Sequence, residues 1–191
     1  MSNNKLTYDY VIAGGGSAGC ALAARLAEDK SISVCLVEAG GKSNNLFIKM
    51  PAGNGFVFGN PKLDWGYIST PQKNLNGRQI YFARGKGLGG SSIVNGMIYM
   101  RGIKSDYDKW RQLGLSGWGY EDILPYFKKS QGSQNRKNAY HGNNGPIKTE
   151  PATNFGIIEK AFITAAVNSG HKHIDDFNGP ERTGVSRSDS T

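Results

Sequence analysis

The stretch "YDYVIAGGGSAGCALAARLAED" limits the fold more than any other part of the chain. An apolar, β-rich run from Tyr8 to Ala13 reads as a fully buried strand. Gly14-x-Gly16-x-x-Gly19 follows, then an Ala- and Leu-rich helix to about Asp29. Small residues such as Ala18, Ala21 and Ala24 let that helix lie close against a sheet. A second apolar strand, "SISVCLVEAGG", ends at Glu38, 19 residues beyond Gly19. Strand, glycine turn, helix, strand and acid in that order form a dinucleotide-binding fingerprint on an α/β fold. Gly14 is expected to make the tight turn, Gly16 to let the backbone approach a pyrophosphate, and Gly19 to allow close helix packing. The helix N-terminus offers amide donors and partial positive charge to phosphates. Glu38 suits ribose hydroxyls and disfavours a 2′-phosphate. The fingerprint alone does not separate NAD from FAD. The nearby "GGKS" is not a GxxxxGK[ST] phosphate loop, because Leu36 stands where its first glycine belongs.

A second glycine loop, "RGKGLGGSSIVNGMIYMRG", begins about seventy residues after the first, beyond a long, irregular, aromatic-rich excursion. Connections of that length are usually functional. Gly89 and Gly90 permit close backbone approach to a flat or charged ligand, and Ser91 and Ser92 supply hydroxyls. The segment that follows is expected to open a helix whose amides face that ligand. By residue type alone, a purely structural turn stays open as the alternative.

Composition narrows the class. With 38% hydrophobic and 20% charged residues, the 191-residue chain is globular, of one domain or one and part of another. The formal charge of +8 comes from basic residues spread along the chain, with one looser cluster in "FKKSQGSQNRKN". No recognition helix, zinc knuckle or aromatic RNA-binding motif accompanies it, so nucleic acid is not an expected partner. Peripheral contact with polyanions or acidic lipid heads stays open. No membrane span or secretory signal is visible, and a cytoplasmic location is expected. Cys20 and Cys35 are read as buried reduced thiols. The three histidines are His141, His171 and His173. None has the partners of a metal site or a general base; His141, in a turn-rich loop, suits a structural hydrogen bond.

"GKGLGGSSIVNGMIYMRGIKSDYD" resembles the first signature of the glucose-methanol-choline (GMC) oxidoreductases along its whole length. "DYVIAGGGSAGCALAARLAE" and "VCLVEAGG" resemble that family's N-terminal FAD fingerprint. "LDWGYISTPQ", "DYDKW", "GWGYEDILPYFKKS" and "YHGNNGPI" resemble its choline dehydrogenase-like branch, in the same order. The resemblance covers nearly all of the chain and selects FAD over NAD. It implies an α/β, Rossmann-like FAD-binding domain of GMC type, incomplete, over residues 1–150, and the beginning of an α+β substrate-binding domain over 151–191.

It further implies that Gly14, Gly16, Ser17, Ala18, Gly19, Glu38 and Ala39 hold the ADP half of FAD. Arg84, Gly85, Gly87, Gly89, Gly90 and Ser91 would pass along the pyrophosphate and flavin. Asn95, Gly96, Met97 and Ile98 would line the isoalloxazine ring. Some members tether FAD through a histidine just before the glycine loop; Arg84 stands there in this sequence, so a non-covalent, dissociable FAD is expected.

The remainder reads as two short helices across a Gly/Trp turn, with Trp110, Trp118, Tyr126 and Phe127 as packing residues. An amphipathic helix follows, capped near Thr153 or Asn154 and closed by Gly170. The family's catalytic histidine, with its His or Asn partner, comes from near the C-terminus of its members. No catalytic residue is therefore assigned here, and the chain is expected to be the N-terminal portion of a longer alcohol-oxidising flavoprotein, inactive by itself. Its partners would be a small, choline-like or other primary alcohol and an electron acceptor, oxygen or a carrier; oligomeric state is not legible. The alternative is a short, non-catalytic nucleotide-binding or interaction protein of the same fold.

Overall fold

A computed structural model describes residues 6–152 and 156–191. The chain forms two compact units, Met1–Gly96 and Met97–Thr191.

The first unit opens with strand β1 (Tyr10–Ala13), helix α1 (Ser17–Leu26) and strand β2 (Val34–Val37). β1 and β2 pair in parallel, Tyr10 opposite Val34 and Ala13 opposite Val37. Two parallel strands need a crossover, and α1 is that crossover. The expected full burial does not hold: Val11 is 65% exposed and Val37 52%. The sheet here has two strands, and only Ile12, on the side toward α1, lies partly covered within β1. The cysteines are likewise half-buried rather than buried, as free thiols.

The excursion between the glycine loops is not structureless. It contains two single-turn helices, α2 (Leu46–Lys49) and α3 (Asn54–Val57), and a short antiparallel pair, β3 (Tyr67–Ile68) with β4 (Tyr81–Phe82).

The second unit holds β5 (Ile98–Tyr99), helices α4 (Lys104–Gln112) and α5 (Tyr120–Ser130), β6 (Gln131–Ser133), β7 (Ile147–Pro151), α6 (Ile157–Asn168) and β8 (Asp189–Ser190). Its sheet runs β5-β8-β7-β6, antiparallel except for the parallel β6–β7 pair. Tyr107 of α4 meets Trp110 edge-on at 5.4 Å and Phe127 of α5 at 5.7 Å, while Trp110 meets Trp118 at 5.9 Å. Three of the four expected packing aromatics are therefore in one cluster; Tyr126 instead points to solvent. Gly170 closes α6 at φ +92°, and the caps expected at Thr153 or Asn154 lie outside the described residues.

A buried polar network ties this unit together. Arg101 donates to the Gln131 carbonyl Oε1 (2.6 Å), which fixes that atom as an acceptor. His141 Nδ1 lies 3.1 Å from the same oxygen and Nε2 lies 2.6 Å from the Asp176 carboxylate, so both ring nitrogens face acceptors. Burial pushes the Asp176 carboxyl up, but hydrogen bonds from His141 and the Asn178 amide and the nearby His141 and Arg136 charges outweigh it and hold it low. Arg136 grips Asp189 through Nε and Nη2, each at 2.8 Å. His141 thus makes structural hydrogen bonds, as its loop position suggests. Among the described residues, no helix is long and apolar enough to cross a membrane, and no group of three His, Cys, Asp or Glu side chains is placed to hold a metal ion.

Candidate functional site: a cleft between two glycine loops

Both glycine loops of the first unit line one open cleft of about 960 Å³. From the first loop and its flanks come Gly14, Gly16, Ser17, Ala18, Gly19, Glu38 and Ala39; from the second come Arg84, Gly85, Gly90 and Ser91. The backbone clamps them together. The Gly89 amide donates to Gly15 O (2.7 Å), the Leu88 amide to Gly41 O (3.1 Å), and the Ser17 and Ser92 hydroxyls lie 3.0 Å apart.

The three fingerprint glycines are glycine for three different reasons. Gly14 sits at φ +99°, a turn conformation that L side chains rarely adopt. A Cβ on Gly19 would fall 1.9 Å from Gly14 O, so the close seat of α1 on the turn requires its absence. Gly16 has neither constraint: its backbone is extended (φ −74°, ψ −171°), and a Cβ there would meet only Gly90 Cα, at 3.9 Å. Nothing among the described residues demands glycine at this position, which lines the cleft.

The donors at the cleft floor suit an anion. Gly16 is the N-cap of α1 and supplies no side-chain cap, so the first-turn amides of this helix are left for an external acceptor. Glu38 is anchored by two backbone amides, Oε2 by Gly15 (2.6 Å) and Oε1 by Gly40 (2.8 Å). A carboxylate has about four acceptor positions, so each oxygen retains capacity for a hydroxyl.

Gly87 and Gly89 lie behind the cleft lining. Gly87 pairs with Gly41, and a Cβ on Gly89 (φ +104°) would fall 2.7 Å from Ile93 Cγ2. The expected helix after this loop is one 3-10 turn, Gly90–Ile93. Left-handed Gly89 and Gly90 start it and the irregular Val94 ends it, so no second turn can build. Asn95 and Gly96 end the first unit without lining its cleft, while Met97 and Ile98 open the second. Met97 holds φ +59°, one of two non-glycine residues at positive φ among those described.

Asp64 escaped the sequence reading. It is 3% exposed and accepts from the Gly59 amide (3.0 Å), the Gly66 amide (3.0 Å), the Arg84 amide (2.9 Å) and the Tyr81 hydroxyl. One carboxylate thereby gathers the excursion and sets the start of the second glycine loop. The local signal was the amide two residues on, an Asx-type turn; the Tyr81 and Arg84 bonds are long-range. Burial pushes the Asp64 carboxyl up, but the Tyr81 hydroxyl and the three amides outweigh it and hold it at about 2, against an ordinary 3.8. Its stabilising contribution is thus full above the ordinary carboxylate range and is lost as pH falls through about 2. Asp64→Asn should cost about 2 kcal/mol in urea unfolding at pH 7, and the gap to the unsubstituted chain should close on acidification toward that value. An equal stability at pH 7 would remove Asp64 from this role.

The family model described as GMC oxidoreductase matches residues 8–190. The oxygen-dependent choline dehydrogenase of Rhizobium etli (strain CIAT 652) is 43% identical over 183 residues, 96% of this chain and 33% of that protein. The protein of the same name from Xanthomonas campestris pv. campestris (strain B100) is 42% identical over 188 residues, with 96% and 34% covered. Among solved structures, pyridoxine 4-oxidase from Mesorbium loti superposes with a TM-score of 0.91 at 35% identity, covering 96% of this chain and 36% of its own. The chain spans about a third of the length of the curated relatives it matches.

Proposed function

Because the chain belongs to the GMC oxidoreductase family, we propose that its glycine cleft holds FAD and serves a longer enzyme that oxidises a small alcohol. The observation that carries the reading is Gly16, a cleft-lining glycine that no contact or dihedral among the described residues explains. A backbone that must touch a pyrophosphate does explain it.

The first-turn amides of α1, around Ser17, Ala18 and Gly19, take the phosphate charge. Glu38, held rigid by Gly15 and Gly40, orients the adenosine ribose beside Ala39. Arg84, Gly85, Gly90 and Ser91 form the opposite wall toward the flavin, while Gly87 and Gly89 keep the two loops in register. Asn95, Gly96, Met97 and Ile98 belong with the isoalloxazine ring in this reading. The bound flavin supplies the hydride acceptor for an alcohol C–H. No residue of this chain is assigned as the base that takes the hydroxyl proton. A choline-like alcohol is the substrate class favoured by the curated relatives. The division into an FAD-binding portion before residue 150 and a substrate-binding portion after it belongs to the same proposal.

FAD is held without a covalent bond. The position before the glycine loop is Arg84, whose guanidinium donates to the Ala83 carbonyl (2.7 Å) and offers no imidazole for a flavin link. Titration of the chain with FAD should therefore give saturable, one-to-one binding that NAD does not compete away. Acid precipitation of the complex should leave all the flavin in the supernatant. Absence of FAD binding, or equal binding of NAD, would overturn the cofactor assignment; yellow colour in the pellet would overturn the non-covalent one.

A further inference from the structure

We infer that the second unit carries an oxyanion-binding cavity beside the N-terminus of α4, suited to a small phosphate or carboxylate, a site that does not depend on the FAD reading. The cavity measures about 410 Å³ and is lined entirely by residues of the second unit. Lys104 and Ser105 of α4, Tyr120 of α5, Tyr140, Arg182 and Thr183 supply its polar lining. Tyr120 is 5% exposed; its amide donates to Asp108 (3.1 Å), whereas its hydroxyl meets no hydrogen-bond partner among the described residues. A tyrosine buried to this degree ordinarily gives its O–H to a partner. Among the described residues, no side-chain nitrogen or oxygen sealed from solvent lacks a partner, so this hydroxyl opens on the cavity and not into the core.

The charges around that hydroxyl favour a negative ligand. Neither Arg101 nor Arg182 forms an ion pair among the described residues. Arg182 donates to the carbonyls of Phe177, Gly102 and Arg101, and Arg101 donates to Tyr140 O (2.7 Å) and Gln131 Oε1 (2.6 Å). Burial pushes the Tyr120 hydroxyl up, and both guanidinium charges act against that rise. Lys104 holds its ammonium 5.9 Å from the Tyr120 ring centroid. The carboxylates of the two flanking helices are already committed: Glu121 to Lys104 (2.9 Å), Asp108 to the Tyr120 amide, and Asp106 to the Ile103 amide (3.0 Å). The Lys104 and Ser105 amides, in the first turn of α4, have no intrahelical acceptor. Donors without an acceptor beside uncompensated positive charge are what a compact oxyanion completes. Phosphate and carboxylate share that chemistry.

The test titrates the chain with inorganic phosphate, acetate and glycerol, followed by amide proton–nitrogen correlation spectra. Phosphate or acetate should give saturable shifts at Lys104 and Ser105, and the tighter of the two names the head group. Tyr120→Phe removes a hydroxyl with no partner inside the protein, so thermal unfolding should be unchanged. Affinity for the anion should fall about tenfold, the scale of one hydrogen bond to a charged group. Lys104→Gln, at a side chain 60% exposed, should weaken the anion with the fold intact. Glycerol binding as tightly as either anion would overturn the charge argument. Shifts that fail to saturate with both anions, or unchanged affinity in both variants, would overturn the site, and so would a loss of thermal stability in Tyr120→Phe, which would give the hydroxyl a partner within the fold.

Discussion

Gly16→Val is expected to abolish FAD binding while leaving the fold intact. The backbone at Gly16 is extended, a conformation valine adopts readily, and the nearest atom to an added Cβ is Gly90 Cα at 3.9 Å. The new side chain therefore enters the cleft where, in the proposed binding, the FAD pyrophosphate lies against the main chain. Overlap of a few methyl-sized groups with a ligand that cannot retreat corresponds to a loss on the order of 100-fold or more in affinity. Calorimetric titration with FAD measures it, and thermal unfolding in the absence of flavin should match the unsubstituted chain. Retention of FAD affinity would show that the phosphates bind elsewhere.

Gly19→Ala should do the reverse and strike the fold first. Its Cβ would fall 1.9 Å from Gly14 O and 3.1 Å from Gly14 C, with Ile12 Cγ2 at 3.5 Å. Two of these are backbone atoms of the turn itself, so no rotamer change relieves the clash. α1 must lift from β1, at a cost of about 3 kcal/mol. Urea unfolding of the flavin-free chain should show that loss, which Gly16→Val should not. Similar stabilities for the two variants would mean that the helix has more freedom on the sheet than its packing implies.

What the sequence revealed and what it concealed divide along the range of the interactions. β1, α1 and β2 follow from local pattern, because period, small residues and glycine spacing act within a turn or two. So do α4 and α5, whose aromatic spacing puts Tyr107, Trp110 and Phe127 in reach of one another. The excursion was opaque for the opposite reason. Asp64 in "KLDWGY" looks like any exposed turn acid, and its weight comes from burial together with Tyr81 and Arg84, 17 and 20 residues away. The segment after the second glycine loop misled because Ser-Ser-Ile-Val reads as a helix start, whereas left-handed Gly89 and Gly90 lead into it and Val94 leaves helical geometry after a single turn. Within the cleft, the glycines were legible, whereas Trp65 and Tyr67, which also line it, passed as part of an irregular loop.

The bridge between Gly41 and Gly87 bears on how such proteins diversify. The excursion leaves the cleft at one end of that bridge and returns at the other, so its contents are a cassette whose two ends are already joined. Closure entropy rises only logarithmically, about 0.6 kcal/mol for each doubling of loop length. Insertions and exchanges between residues 44 and 58 or between residues 70 and 79 are thereby inexpensive, because they leave the Asp64 anchor and the cleft-lining Trp65, Tyr67, Arg84 and Gly85 in place.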